Sequence, residues 1–216
     1  MIIGFTGKAG VGKDTAGGYL RLKQWKHYSF ALPLKRVVAT LLGLPLAAME
    51  MREIKDKPLE KPIRLQEEDA DRIMEAIPHP ILGHSMADKV REACDGKEFN
   101  TVRELLQFIG TDIGRDIINK DIWTNITKDA VNNLKKDNNV VITDVRFENE
   151  KDVIKDMGGY VIEIQRKTEL SDVAKHKSED IDFESDLVIE NNGSMQKMYD
   201  QIEEFLNDTK GKRAEA

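Results

Sequence analysis

Residues 1–22 read MIIGFTGKAGVGKDTAGGYLRL, and the fold turns on how they are understood. Met1 to Phe5 is a short apolar run closed by Thr6-Gly7, the pattern of a buried strand. Gly7-Lys8-Ala9-Gly10-Val11-Gly12-Lys13-Asp14-Thr15 follows, and periodic residues from Thr15 to Leu22 then read as a helix. A strand, a loop of glycines with a lysine, and a helix opening at that lysine form the context of a phosphate loop. Gly7, Gly10 and Gly12 permit a loop whose backbone N–H groups turn inward as a nest for phosphates. The helix starting near Lys13 aims its positive end at the same anion. Residues Ala9, Gly10, Val11, Gly12, Lys13, Asp14 and Thr15 are therefore the expected nucleotide-phosphate contacts. Lys13 is the group that neutralises charge on the β/γ oxygens as the bond breaks. Asp14 stands where a hydroxyl usually follows the lysine, and Thr15 comes next.

A second signal lies far along the chain, in Val140-Val141-Ile142-Thr143-Asp144-Val145-Arg146-Phe147-Glu148-Asn149-Glu150. An apolar strand over Asn139 to Thr143 ends in Asp144, which puts a carboxylate at the carboxyl edge of the sheet, where open α/β folds bind ligands. In phosphate-loop proteins such a carboxylate holds magnesium. Arg146 emerges on the same edge and can grip a phosphate with two parallel hydrogen bonds. The purely structural alternative is that Asp144 caps the next helix while Arg146 pairs with Glu150 one turn on.

Further strands are expected at Tyr28 to Ala31, Tyr160 to Gln165 and Leu187 to Ile189. Helices are expected from Pro33 to Leu42, Trp123 to Lys136, Phe147 to Met157, and from an N-cap at Ser194 through Phe205. Alternating strands and helices imply a parallel sheet of five strands covered by helices on both faces. Between about Leu44 and Asp121 no good strand is evident. Helices over Leu65 to Ala76, Ser85 to Cys94 and Thr101 to Ile118 make that stretch an insertion, either an acceptor site or a structural layer. In the last of these helices Arg103, Gln107 and Gly110/Thr111 share a polar face opposite Leu105, Phe108, Ile109 and Ile113. That face suits either a ligand or water. The whole reads as one domain over residues 1–209 with the insertion at about 44–121 and a frayed polar tail at 210–216.

The totals exclude several classes. The 216-residue chain is 40% hydrophobic and 33% charged, with a formal net charge of −6 and no basic block, which disfavours nucleic acid as the main partner. No apolar run approaches the roughly 20 residues of a membrane span. A single cysteine, Cys94, allows no internal disulfide and fits a reducing cytoplasm. His27, His79, His84 and His176 lack metal-ligand spacing.

Taken together, Gly7 to Thr15, the Phe30-Ala31-Leu32-Pro33-Leu34-Lys35 turn, "LLQFIGTDIGR" within Arg103 to Arg115, Trp123, "DVRFENE" over Asp144 to Glu150 and "NNGS" at Asn191 to Ser194 resemble the bacteriophage deoxynucleoside monophosphate kinases. The resemblance implies a P-loop kinase fold with strand order 2-3-1-4-5. It also implies phosphoryl transfer from ATP, with Mg2+, to a deoxynucleoside monophosphate, supplying deoxynucleotides for DNA synthesis in the host cytoplasm. It suggests Lys13, Asp144 and Arg146 as catalytic and Thr15 with Asp144 at the metal. Leu34, Lys35, Arg103, Gln107, Gly110, Thr111, Trp123, Asp144, Arg146 and Glu150 would surround the acceptor, and Asn192 and Gly193 the adenine. A homodimer is compatible with this reading.

Two rivals share the loop. A regulatory GTPase needs Asn-Lys-x-Asp, but Asn119-Lys120-Asp121 is followed by Ile122 where the aspartate must stand. A kinase of another small acceptor, such as dephospho-coenzyme A or a sugar acid, is the alternative.

Overall fold

The computed structural model describes residues 1–78, 83–166 and 183–214, so His79, His176 and the end of the expected tail fall outside it. The chain divides into two compact units: Met1–Phe30 with Lys128–Ala216, and Ala31–Thr127. The expected insertion lies inside the second. The boundary falls within the helix Ile122–Leu134. No helix among the described residues is long and apolar enough to cross a membrane.

The first unit holds strands β1 (Ile2–Thr6), β2 (Lys26–Tyr28), β5 (Val140–Val145), β6 (Tyr160–Gln165) and β7 (Leu187–Glu190); the intervening β3 (Ile63–Arg64) and β4 (Glu98–Phe99) form a short antiparallel ribbon in the second unit. The five strands pair in parallel in the order β2-β5-β1-β6-β7. Counted alone, they run 2-3-1-4-5, as expected. Side chains alternate across a strand, and β1 shows both faces. Ile3 and Phe5 join a fully buried cluster with Ala16 and Leu20 of the helix Lys13–Leu22 and Met198, Ile202 and Leu206 of the helix Met195–Ala214. On the other face a Cβ at Gly4 would lie 2.5 Å from Ile154 Cδ1, so the helix Glu148–Asp156 packs closely there. A side chain at position 4 would push that helix off the sheet.

Two boundaries differ from expectation for physical reasons. β2 ends at Tyr28 rather than Ala31, because the Phe30 N–H goes to the Asp144 carboxylate instead of a strand ladder. The last helix runs past Phe205 to Ala214, since Leu206 and Thr209 are still buried and the Thr209 hydroxyl donates to the Phe205 carbonyl.

The second unit is helical around its own core, which includes Val37, Met49, Ile73, Val90, Leu105, Ile113 and Trp123. Its helices Glu67–Ala76, His84–Cys94 and Val102–Phe108 match the expected ones. Leu46–Glu50 and Arg52–Asp56 are additional short turns, and β3 and β4 are too short to show a period. From Ile109 to Ile118 the third helix widens into π turns, with Asn119 N–H reaching back five residues to the Gly114 carbonyl. Such widening is rare and frequent at functional sites. Trp123 supports it: the indole Nε1–H donates to the Gly110 carbonyl at 2.8 Å. Its ring also lies so close that a Cβ at Gly114 would sit 2.7 Å from Cζ2.

Gly114→Ala therefore sets two effects against each other. Alanine favours a helix by about 1 kcal/mol over glycine, while crowding a buried indole costs about 1–3 kcal/mol. Crowding should win, because Trp123 is held by its own hydrogen bond. The urea unfolding midpoint of Gly114→Ala should fall; an unchanged or higher midpoint would show that Trp123 can move aside.

Candidate active site

The phosphate loop forms as the glycines require. Gly7, Gly10 and Gly12 have φ of 139°, 76° and 114°, all in the region that side chains avoid. At Gly7 the space is also taken: a Cβ would lie 2.3 Å from the Ile164 carbonyl oxygen. The helix Lys13–Leu22 opens directly after Gly12 with no side-chain cap. Its first N–H groups thus look to something other than a cap, the condition for anion binding at a helix start. Lys13 folds over the loop, its Nζ donating to the carbonyls of Gly7 (2.6 Å) and Lys8 (2.7 Å). The ammonium is thereby fixed at the mouth of the nest rather than extended into solvent.

Asp144 is delivered by an irregularity in the sheet. Gly4 pairs with Ile142 but Thr6 pairs with Val145, so Thr143 and Asp144 together stand opposite Phe5. An extra residue of this kind bends a strand and re-aims its side chains. Thr143 packs its methyl against Gly17, where a Cβ would lie 2.3 Å away, and its hydroxyl bonds His27 Nε2 at 2.9 Å. Asp144 Oδ1 accepts from Phe30 N–H at 2.9 Å. Asp144 thus braces the strand crossing from β2. The helix that follows is capped by Glu150, which is buried and takes the N–H groups of Arg146 (2.8 Å) and Phe147 (3.2 Å) on one oxygen. The Arg146 side chain is exposed and, among the described residues, forms no ion pair with Glu150 or any other carboxylate.

In the second unit the polar stripe is real: Arg103, Gln107 and Thr111 are exposed while Leu105, Phe108, Ile109 and Ile113 are buried. Beside Gly110 the space is taken by Leu34, its Cδ2 2.8 Å from where a Cβ would be. Leu34, Gly110 and Trp123 form a packed support under the stripe. Arg103 Nε bonds Asp56 Oδ1, and Lys35 bonds both oxygens of Glu50 at 2.8 Å. The Arg103 guanidinium holds the Asp56 carboxyl below the usual carboxylate range. Lys55 beside them is half-buried. Burial pushes its pKa down, and repulsion from Lys35 and Arg103 adds to the effect. Lys35, Lys55 and Arg103 therefore share one field, only partly offset by Glu50 and Asp56. Arg64 stands on the short ribbon beside Glu98.

At the end of β7, Asn192 and Gly193 are exposed and Ser194 Oγ accepts from Lys197 N–H, the expected N-cap. Sequence reading missed Asn191, a buried side chain whose Nδ2 donates to the Val11 carbonyl at 2.7 Å. The Asn191-Asn192 doublet at a strand end was the available signal.

A glycine nest at the carboxyl edge of a 2-3-1-4-5 parallel sheet, with an acidic residue closing the neighbouring strand, defines a phosphate-loop kinase. Residues 44–202 match the sequence profile of the deoxynucleotide monophosphate kinases. A protein of Acanthamoeba polyphaga mimivirus bearing that kinase's name is 32% identical over 219 residues, covering 94% of each chain. The deoxynucleoside-5'-monophosphate kinase of Escherichia phage T5 is 25% identical over 186 residues, 72% of each chain. The chain belongs to the deoxynucleotide monophosphate kinase family. Among solved structures, a dephospho-CoA kinase from Campylobacter jejuni covers 96% of this chain and 98% of its own with a TM-score of 0.44 and 16% identity, too loose a likeness to bear on the acceptor.

Glu150→Ala removes the acceptor for two N–H groups at a helix start. It should lower stability by about 1–2 kcal/mol, the scale of a lost cap. Glu150→Gln should recover part of this, because the amide oxygen still accepts. Urea unfolding of both variants measures it, and equal loss in the two would mean that the carboxylate charge, not the cap, is what matters.

Proposed function

We propose that this protein transfers the γ-phosphoryl group of ATP to the 5′-phosphate oxygen of a deoxynucleoside monophosphate, releasing ADP and a deoxynucleoside diphosphate. The observation that carries the reading is the uncapped helix start behind the Gly7–Thr15 loop, with Lys13 clamped at its mouth. Phosphoryl transfer needs positioning and charge stabilisation more than covalent help from the protein. Backbone N–H groups of Ala9 to Thr15 would hold the β- and γ-phosphates, and Lys13 would exchange its loop carbonyls for phosphate oxygens as charge builds. Asn192 and Gly193 would lie at the adenine.

The donor set suits magnesium. Thr15 and Asp144 would offer the hard oxygen atoms that Mg2+ prefers, with phosphates and water completing its coordination. When bound there by Thr15 and Asp144 it would supply positive charge against the phosphates. Arg146, exposed and without an ionic partner among the described residues, would meet the acceptor or the transferring phosphate. The acceptor's phosphate would fall to the Lys35–Lys55–Arg103 field, and Gln107 and Thr111 to the rest of the nucleotide. The product would feed DNA synthesis, in the host cytoplasm if the chain is virus-encoded. Function as a homodimer is part of the same proposal.

Lys13→Ala should keep its circular dichroism spectrum yet lose at least about 100-fold in kcat, the scale for removing one preorganised donor. Near-normal turnover in the folded variant would remove Lys13 from the reaction.

Arg103→Ala should raise the acceptor KM and lower kcat together, by about 2–4 kcal/mol in kcat/KM, while KM for ATP moves little. Arg103→Lys should rescue only in part, because an ammonium lacks the two-pronged contact. Steady-state kinetics with each substrate varied in turn decides it; a change confined to ATP would place Arg103 on the donor side.

A further inference from the structure

We propose that Asn191 is a positioning residue for ATP, setting the direction of the Gly12 backbone N–H, one of the donors in the phosphate nest. The inference rests on the ATP reading of the loop and adds a residue and a device to it.

Asn191 is anchored from behind. Its N–H donates to the Gln165 carbonyl at 2.8 Å, extending the β6–β7 ladder one residue past Glu190. The residue is only 8% exposed, and Val11, which it reaches, is 4% exposed. From that fixed base, Nδ2 donates to the Val11 carbonyl at 2.7 Å. The same nitrogen lies 2.6 Å from where a Cβ of Gly12 would be. Asn191 therefore fills the space that glycine at position 12 leaves open.

The consequence follows from the planarity of the peptide bond. In a trans peptide the C=O of one residue and the N–H of the next point in opposite directions. Holding the Val11 carbonyl toward Asn191 turns the Gly12 N–H to the opposite side. In a nest built from successive N–H groups, that is the concave, anion-facing side. Gly12, at φ 114°, has a wide range of backbone conformations open to it. Without the clamp, its peptide plane would be among the freest in the loop.

The chemistry of the side chain is specific. A buried carbonyl needs a donor, and the Asn191 amide presents its nitrogen. An ionised aspartate would face the Val11 oxygen with a second acceptor, and a leucine would leave that oxygen buried and unpaired. Asn192 and Gly193 follow immediately and are the residues proposed for the adenine. One three-residue segment thus joins base recognition to the geometry of the phosphate donors.

The test uses the full chain carrying Asn191→Ala and Asn191→Asp. For Asn191→Ala, kcat/KM for ATP should fall about 10–100-fold, as for a misaimed preorganised donor, while the acceptor KM stays within about threefold. Thermal protection by inorganic tripolyphosphate should weaken in step with that by ATP, because the defect lies at the phosphates. Asn191→Asp should be as poor as Asn191→Ala at pH 8. It should regain activity as pH falls, because burial raises a carboxyl pKa and the neutral acid can donate O–H to Val11. The wild type should show no such gain.

The proposal is overturned if Asn191→Ala loses thermal stability but keeps ATP kcat/KM within threefold of wild type. It is also overturned if ATP binding weakens while tripolyphosphate protection does not, which would assign Asn191 to the base. Should Asn191→Ala fail to fold, the isosteric Asn191→Asp decides, and absence of recovery at low pH counts against the clamp. A wild type that binds tripolyphosphate but releases no ADP with any acceptor would sink the kinase reading, while the tripolyphosphate arms still judge Asn191.

Discussion

The first unit depends on keeping a row of backbone N–H groups open to an anion at the end of β1. Unpaired N–H groups are costly when buried, and a loop that presents several of them together is stable only if glycine relieves the backbone and neighbours hold the peptide planes. Gly7, Gly10 and Gly12 supply the first condition through their positive φ values. Lys13 and Asn191 supply the second, each taking carbonyls of the loop: Gly7 and Lys8 for the ammonium, Val11 for the amide. In the proposed reaction the ammonium leaves its carbonyls for phosphate oxygens, while the amide stays on Val11.

The sheet serves the same end from beneath. The extra residue in β5 brings Thr143 and Asp144 opposite Phe5, two residues before the loop begins at Gly7. Thr143 then braces Gly17 of the first helix, and Asp144 fastens Phe30 at the exit of β2. Glu150 closes the turn after β5 by capping its helix from within. The acidic run therefore divides its labour, with Asp144 at the sheet edge and Glu150 holding the backbone that carries Arg146.

Much of this was legible in sequence because its signals are local. A glycine loop between an apolar strand and a periodic helix, and a strand ending in Asp144, are patterns of adjacent residues, and the strand order followed from the family they resemble. What stayed hidden depends on contacts between residues distant in the chain. Asn191 lies 180 residues from Val11, and its role shows only when β7 is laid beside β6. The resemblance puts Gly110 and Trp123 around the acceptor, but their packing with Leu34 beneath an exposed stripe shows only in the structure. The Lys35–Lys55–Arg103 field is likewise invisible along the chain, where 68 positions separate its ends.

The central claim is the choice of acceptor, since the phosphate loop alone would serve many kinases. It is tested most directly by measuring ADP release from ATP with magnesium across the four deoxynucleoside monophosphates, their ribonucleotide counterparts and dephospho-coenzyme A. The account predicts turnover with at least one deoxynucleoside monophosphate and none with dephospho-coenzyme A. Turnover with dephospho-coenzyme A alone, or ATP binding with no acceptor-dependent ADP release, would contradict it.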